Sequence, residues 1–259
     1  MSITSSTWDP AQYLKFSNER LRPALDLLSQ IPLETAKNVV DLGCGTGSMT
    51  TILKQRFASA AVLGVDGAET MLAKARAAAP ECRFEQGDFA TWTPAAPPDL
   101  IFSNAALHWI TNHETVFPRL LSLLAPGGIL AVQMPAMHDA PLRALQNEIA
   151  QTDPWPSLLG ETGYARGLLP VETYYDVIRP RVTSLDLWET TYLHVLTGPD
   201  AVTEWAAGSS LRPFLDKLPA DRAAEFRAAY SAALRPHYPR RPDGTTLLPF
   251  KRLFLVARI

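Results

Sequence analysis

"VVDLGCGTGSMT", residues 39–50, decides how the chain is read. A short apolar strand ends in the acid Asp41, and Gly43, Gly45 and Gly47 follow at alternate positions. A glycine-rich turn between a strand and a helix lets backbone approach a ligand closely. Neither common phosphate pattern fits. A dinucleotide fingerprint spaces its glycines G-x-G-x-x-G, one residue wider at the end, and a P-loop needs Gly-Lys-Ser/Thr. An acid just ahead of the loop would also repel a phosphate.

Outward from this stretch, strands and helices alternate. "NERLRPALDLLSQI" (18–31) places Leu21, Leu25, Leu28 and Ile31 on one helical face, with Asn18 as N-cap. Strands are expected at 37–43, 60–66, 82–88, within 98–109 and at 128–135. Helices are expected after the glycine loop, at 68–79 and at 114–128, the last stopped by Pro-Gly-Gly. Such alternation predicts an α/β fold with a mostly parallel, Rossmann-like sheet. Beyond Pro135 the pattern loosens. Helices at 139–180 and 200–237 flank a strand at 185–196, and "LLPFKRLFLVARI" (247–259) supplies a final antiparallel strand. The expected organisation is one domain. Its core comprises about 32–135, 180–196 and 246–259, with a helical cap from 1–30, 136–170 and 198–245.

Composition narrows the function classes. The formal net charge of −2 gives no bulk attraction to nucleic acid or anionic membrane. No apolar run reaches the length of a bilayer span, and the N-terminus carries no apolar signal core. The two cysteines, Cys44 and Cys82, form no metal-ligand pattern and read as reduced thiols. A cytoplasmic protein is expected, with oligomeric state left open.

Ligands of parallel sheets sit at the carboxyl ends of the strands, so residues just after each strand are the candidates. Asp66, which ends "VLGVD", offers two acceptor oxygens suited to a pair of ribose hydroxyls. In "GDF" (87–89), Asp88 can accept from an exocyclic amine and Phe89 can pack beside a ring. "SNAALHW" (103–109) follows the fourth strand. Taken singly, each has a plainer reading as a turn, cap or core residue. Together and in this order, they resemble the class I S-adenosylmethionine-dependent methyltransferases. That resemblance implies a cofactor site at Asp41, Gly43, Cys44, Gly45, Gly47, Asp66, Gly67, Met71, Asp88, Phe89, Asn104 and Ala105, with Tyr13 and Arg20 closing over it. It places the glycine loop beside the cofactor's cationic methionine end, where Asp41 is the right sign.

"WDPAQYLKFSNERLRPALDLL" (8–28), "TYYD" (173–176), "WETTYLH" (188–194) and "SLRPFLDKL" (210–218) narrow the resemblance to the trans-aconitate 2-methyltransferase family. That family esterifies one carboxylate of a tricarboxylate. A carboxylate is already ionised at neutral pH, with a reference pKa of about 4, so no general base, metal or covalent intermediate is required. Orientation is what the protein must supply, and His108 and Trp109 are expected to provide it near the methyl group. A trianion calls for arginine forks. The substrate candidates are Arg212 foremost, then Arg20 as an alternative to its cofactor role, with Arg22, Arg166, Tyr174, Tyr175, Tyr192 and His194 as further donors. The rivals are another carboxyl methyltransferase, for example one acting on a carrier-bound acid, and a cofactor sensor without catalysis.

Overall fold

In the computed structural model, residues 21–160, 162 and 168–259 are described. α1 (Arg22–Ser29) carries Pro23 in its first turn, where a missing N–H costs nothing, and buries Leu25 and Leu28. The alternation follows as β1 (Asn38–Leu42), α2 (Ser48–Arg56), β2 (Ala61–Asp66), α3 (Glu69–Ala78), β3 (Arg83–Gln86) and β4 (Leu100–Asn104). A 3-10 turn, Leu107–Trp109, leads to α4 (His113–Ser122) and β5 (Ile129–Pro135). α4 ends earlier than its apolar pattern suggests, because Pro126 disfavours helical backbone in the residue before it. The rest is α5 (Pro141–Ala150), α6 (Pro156–Leu159), α7 (Val171–Ile178), β6 (Ser184–Thr197), α8 (Ala201–Ala207), α9 (Arg212–Leu215), α10 (Ala220–Leu234) and β7 (Thr245–Arg258).

The seven strands form one sheet in the order β3-β2-β1-β4-β5-β7-β6. β1 pairs in parallel with both β2 and β4, so Asp41 stands opposite Gly64 on one side and Phe102 on the other. β2–β3 and β4–β5 are parallel as well. The carboxyl ends of β1, β2, β3 and β4 therefore share one rim. β7 runs the other way. Ile259 N–H donates to the Gly128 carbonyl and Ala136 N–H to that of Lys251, so numbers rise along β5 as they fall along β7. The burial pattern follows from position. Residues 129–134 of β5 are all buried, as expected of a strand covered on both faces. β3 and β6, at the two edges, are largely exposed or alternating.

The chain divides into two compact units. The first holds residues up to Met134, with 169–189 and 253–259, and contains β1–β5 and α7. The second holds 135–168 and 190–252. It has its own core, built around Phe214, Phe226, Tyr230 and Leu211. Inside that core the Gln146 amide donates to Ser210 Oγ and Tyr230 Oη, and Tyr230 donates to the Leu142 carbonyl. Both amide hydrogens of Gln146 are thus engaged, while its Oε1 is buried without a hydrogen-bond partner among the described residues. β6 and β7 each pass from one unit into the other.

Candidate cofactor site

The glycine loop is clasped to the end of β2. The N–H groups of Gly43 and Cys44 both donate to the Val65 carbonyl, at 2.7 and 3.0 Å, and Gly45 N–H donates to Asp66 Oδ2 at 2.9 Å. Gly43, Gly45 and Gly47 all have positive φ, with Gly47 preceding α2 as its N-cap. Gly43 is required twice over. Its φ is +85°, and a Cβ there would stand 2.1 Å from the Cβ of Ala106. The loop and the segment after β4 thus meet backbone against side chain.

Asp41 lies beneath the loop and is only 1% exposed. Thr50 Oγ1, from the first turns of α2, donates to its Oδ2 at 2.6 Å. Burial pushes the carboxyl up to about 7; the Thr50 hydrogen bond opposes that rise and the nearby Asp66 charge adds to it. A desolvated carboxylate of this kind becomes much more favourable once a cation arrives. Thr50 did not stand out in the sequence. The signal was a hydroxyl residue among the buried positions of α2.

Asp66 is half-buried at the rim. Its Oδ1 accepts from Ala68 N–H at 2.9 Å and its Oδ2 from Gly45. Each carboxylate oxygen can accept a further hydrogen bond, so both remain able to receive a hydroxyl. Gly67, Gln86, Gly87, Asp88 and Phe89 line an open groove of about 550 Å³ beside it. Asp88 Oδ1 accepts from Ala90 N–H at 2.7 Å, a turn-forming role that leaves Oδ2 for a ligand. Met71, on α3, is exposed.

After β4 the backbone is strained. Ala105 has φ +52°, rare for a residue with a side chain, and its N–H is held by the Gln133 carbonyl of β5. Asn104 Oδ1 is buried without a partner among the described residues. The 3-10 turn then presents His108, half-buried, and Trp109, 55% exposed, with ring centroids 4.6 Å apart.

The donor set fits S-adenosylmethionine. Asp41 and the orphaned Asn104 Oδ1 are acceptors, the type an ammonium group needs. Asp66 offers acceptors for vicinal hydroxyls, and Asp88 with Phe89 offers an acceptor beside an apolar ring. Among the described residues no lysine or arginine lines the groove that Gly67 and Asp88 share, as a phosphate would require. Cys44 is buried in the loop, and burial lifts its thiol to about 12, so it acts as packing and not as a nucleophile. Among the described residues no group of His, Cys, Asp and Glu is arranged to hold a metal ion.

The substrate candidates are placed unevenly. Tyr13, Arg20 and Arg166 lie outside the described residues. Tyr174 is not a surface donor: it is 2% exposed and its hydroxyl meets His113 in the core. On α7, Tyr174 and Ile178 share the inward face one turn apart, which turns the neighbouring Tyr175 outward, where it is half-exposed. Tyr192 and His194 are also buried, His194 stacked on Trp205. Arg22 is exposed and 3.9 Å from Asp26. Arg212 belongs to the second unit. Its side chain is 71% exposed, and Nε lies 3.3 Å from Asp216 Oδ2.

Comparison with known proteins follows the same lines. A family profile described as "Methyltransferase domain" matches residues 39–128, starting at the quoted strand. Among solved structures, an S-adenosylmethionine-dependent methyltransferase from Mesorhizobium loti aligns with TM-score 0.52 and 20% identity, over 95% of this chain and all of that one. A phosphoethanolamine N-methyltransferase from Haemonchus contortus, solved with S-adenosylhomocysteine, aligns with TM-score 0.57 and 17% identity, over 92% of this chain and 52% of that one. These similarities speak to fold. Closer in sequence are two proteins named trans-aconitate 2-methyltransferase. The one from Variovorax paradoxus is 46% identical over 97% of this chain and 98% of its own length. The one from Methylobacterium nodulans is 48% identical over the same shares. With identity at this level across nearly the whole of both chains, the chain belongs to the trans-aconitate 2-methyltransferase family of class I methyltransferases.

Proposed function

We propose that the protein methylates one carboxylate of trans-aconitate, giving a monomethyl ester and S-adenosylhomocysteine. The observation that carries this reading is the full-length similarity to relatives bearing that name, which includes the second unit as well as the cofactor core. When bound, S-adenosylmethionine supplies a methyl group already activated by its sulfonium charge.

What the chain supplies is binding and alignment. Asp41 and Asn104 Oδ1 would receive the ammonium end, Asp66 the ribose hydroxyls, and Asp88 with Phe89 the adenine. His108 and Trp109, on a turn fixed by the strained Ala105, would border the reacting groups. The acceptor carboxylate is ionised at neutral pH, so no side chain must remove a proton. In-line placement can lower such a barrier by roughly 7–11 kcal/mol in favourable cases. Arg212 and Tyr175 are the described residues we assign to the substrate, Arg212 exchanging its exposed Asp216 partner for a substrate carboxylate. We read the enzyme as cytoplasmic, in keeping with its two free thiols. No helix among the described residues is long and apolar enough to cross a membrane.

The test is mass spectrometry of purified protein with S-adenosylmethionine and trans-aconitate, with cis-aconitate, citrate and isocitrate in parallel. A single-methyl gain on trans-aconitate, well above the others, is expected. No gain on any acid, with cofactor binding intact, would discard the substrate.

A further inference from the structure

The second unit contains a pocket of about 410 Å³ that shares no lining residue with the cofactor groove. It lies between α8, the end of α10, the loop that follows and the start of β7. Its size is within the range of small-molecule sites, and its walls are apolar, with Val202 and Leu234 both buried.

Among the described residues its polar side chains are hydroxyls and arginines, with a single carboxylate, Asp200. Thr203 and Ser231 are buried at 2% and 6% exposure, with their hydroxyls 2.7 Å apart. Two hydroxyls carry two protons, and the bond between them uses one. Among the described residues the pair makes no other hydrogen bond, so one buried O–H remains to donate. Tyr238 Oη accepts from Leu142 N–H at 3.3 Å, and burial holds the phenol protonated, so its own O–H is likewise a donor. Asp200, the one carboxylate of the lining, is held by the Arg235 guanidinium at 3.1 and 3.2 Å. Arg240 spends only Nε, on the Gly244 carbonyl, and has no carboxylate partner among the described residues. The pocket thus pairs unspent donors and an uncompensated guanidinium with an apolar wall. The basic stretch "RPHYPRR" (235–241) supplies that charge. With its carboxylate already paired to Arg235, this lining favours an anionic acceptor.

We propose that this pocket is a second ligand site, taking a small dicarboxylate. One carboxylate meets Arg240 and Tyr238, a short carbon chain lies on Val202 and Leu234, and the other carboxylate accepts from the Thr203–Ser231 pair. The site binds without reacting and is separate from the methyl-accepting centre assigned above.

The experiment is isothermal titration calorimetry on the full chain saturated with S-adenosylhomocysteine, using glutarate, butyrate and inorganic phosphate as probes. Glutarate is expected to bind at least about tenfold more tightly than either of the others, since it alone meets both donor sets. Arg240→Gln, on an exposed loop, should weaken glutarate at least about tenfold and leave KM and kcat for methyl transfer unchanged. Ser231→Ala should weaken it too, with the fold checked by circular dichroism. Glutarate affinity unchanged in Arg240→Gln would overturn the proposal, and so would phosphate binding as well as glutarate. Arg240→Gln raising KM for the methyl acceptor would overturn the claim of a separate site, whatever becomes of the substrate assignment.

Discussion

The hydroxyl of Tyr174 lies 2.5 Å from Nδ1 of His113, and the other ring nitrogen of that histidine lies 2.9 Å from the Leu107 carbonyl. A carbonyl only accepts, so Nε2 carries the proton and Nδ1 receives the tyrosine's. Burial lowers the pKa of His113 and so keeps it neutral. The histidine ties α7 to the turn that presents His108 and Trp109. Tyr174→Phe leaves Nδ1 buried without a donor, at a cost of about 1–3 kcal/mol, or roughly 2–4 °C of Tm for each. Calorimetry should show that loss, and Tyr175→Phe should not. Turnover in Tyr174→Phe should fall with cofactor affinity unchanged; full turnover would detach this contact from the site.

How much was legible follows from what each residue type reveals. The apolar runs of β1, β2, β4 and β5 announce themselves, because most of their residues are buried and at most an isolated polar residue, such as Asp41, Ser103 or Gln133, breaks a run. Asp41, Asp66 and Asp88 were visible as acids ending or following strands. Tyr174 was misread because tyrosine suits either a core or a surface, and adjacent tyrosines on a helix cannot both face inward. Ile178, one turn on, was the cue to which one does. Thr50 and His113 escaped because their partners, Asp41 and Tyr174, lie on other elements, and a hydrogen bond between elements leaves no spacing rule.

Asp41 makes the cofactor-free protein sensitive to pH. Its folded pKa of about 7 lies above the unfolded value of 3.8, so between these the folded state binds more protons. Stability of the cofactor-free form should therefore fall as pH rises from about 4 to 7. Asp41→Asn should flatten that part of the curve. Cofactor affinity should move oppositely, weakening below pH 7 as the carboxyl must lose its proton to face an ammonium group. Titration calorimetry in buffers of different ionisation enthalpy would detect the released proton; no release would remove Asp41 from the ammonium site.

Gly43 and Gly45 should respond differently to alanine. At Gly43 the added methyl meets Ala106 at 2.1 Å, so loop and post-β4 segment must separate. Cofactor binding should be lost or severely weakened. At Gly45 nothing stands within 4 Å and only the positive φ resists, at about 1–2 kcal/mol. Parallel measurements of Tm and S-adenosylhomocysteine affinity should show that ranking.

Asp66→Ala should weaken S-adenosylhomocysteine by ten- to a hundredfold, roughly the worth of hydrogen bonds to a charged group. It also releases Gly45 and Ala68, so a small drop in Tm is expected. Unchanged affinity would contradict the ribose assignment.

Arg212→Ala separates function from stability. Its ion pair with Asp216 is exposed, and such pairs contribute little. Tm should stay within about 2 °C, while KM for trans-aconitate rises at least about tenfold. Normal kinetics would remove Arg212 from the site.

The passage of β7 from the second unit back into the first bears on how the protein is made. Residues 253–259 give β5 its neighbour, yet they are synthesised long after β5 has left the ribosome. Until then, one side of a strand whose residues 129–134 are all buried in the finished fold is an open edge, the kind that recruits other chains. The nascent chain must therefore be shielded or fold late. Its yield in a cell should depend on chaperone supply more than the finished enzyme's stability would suggest.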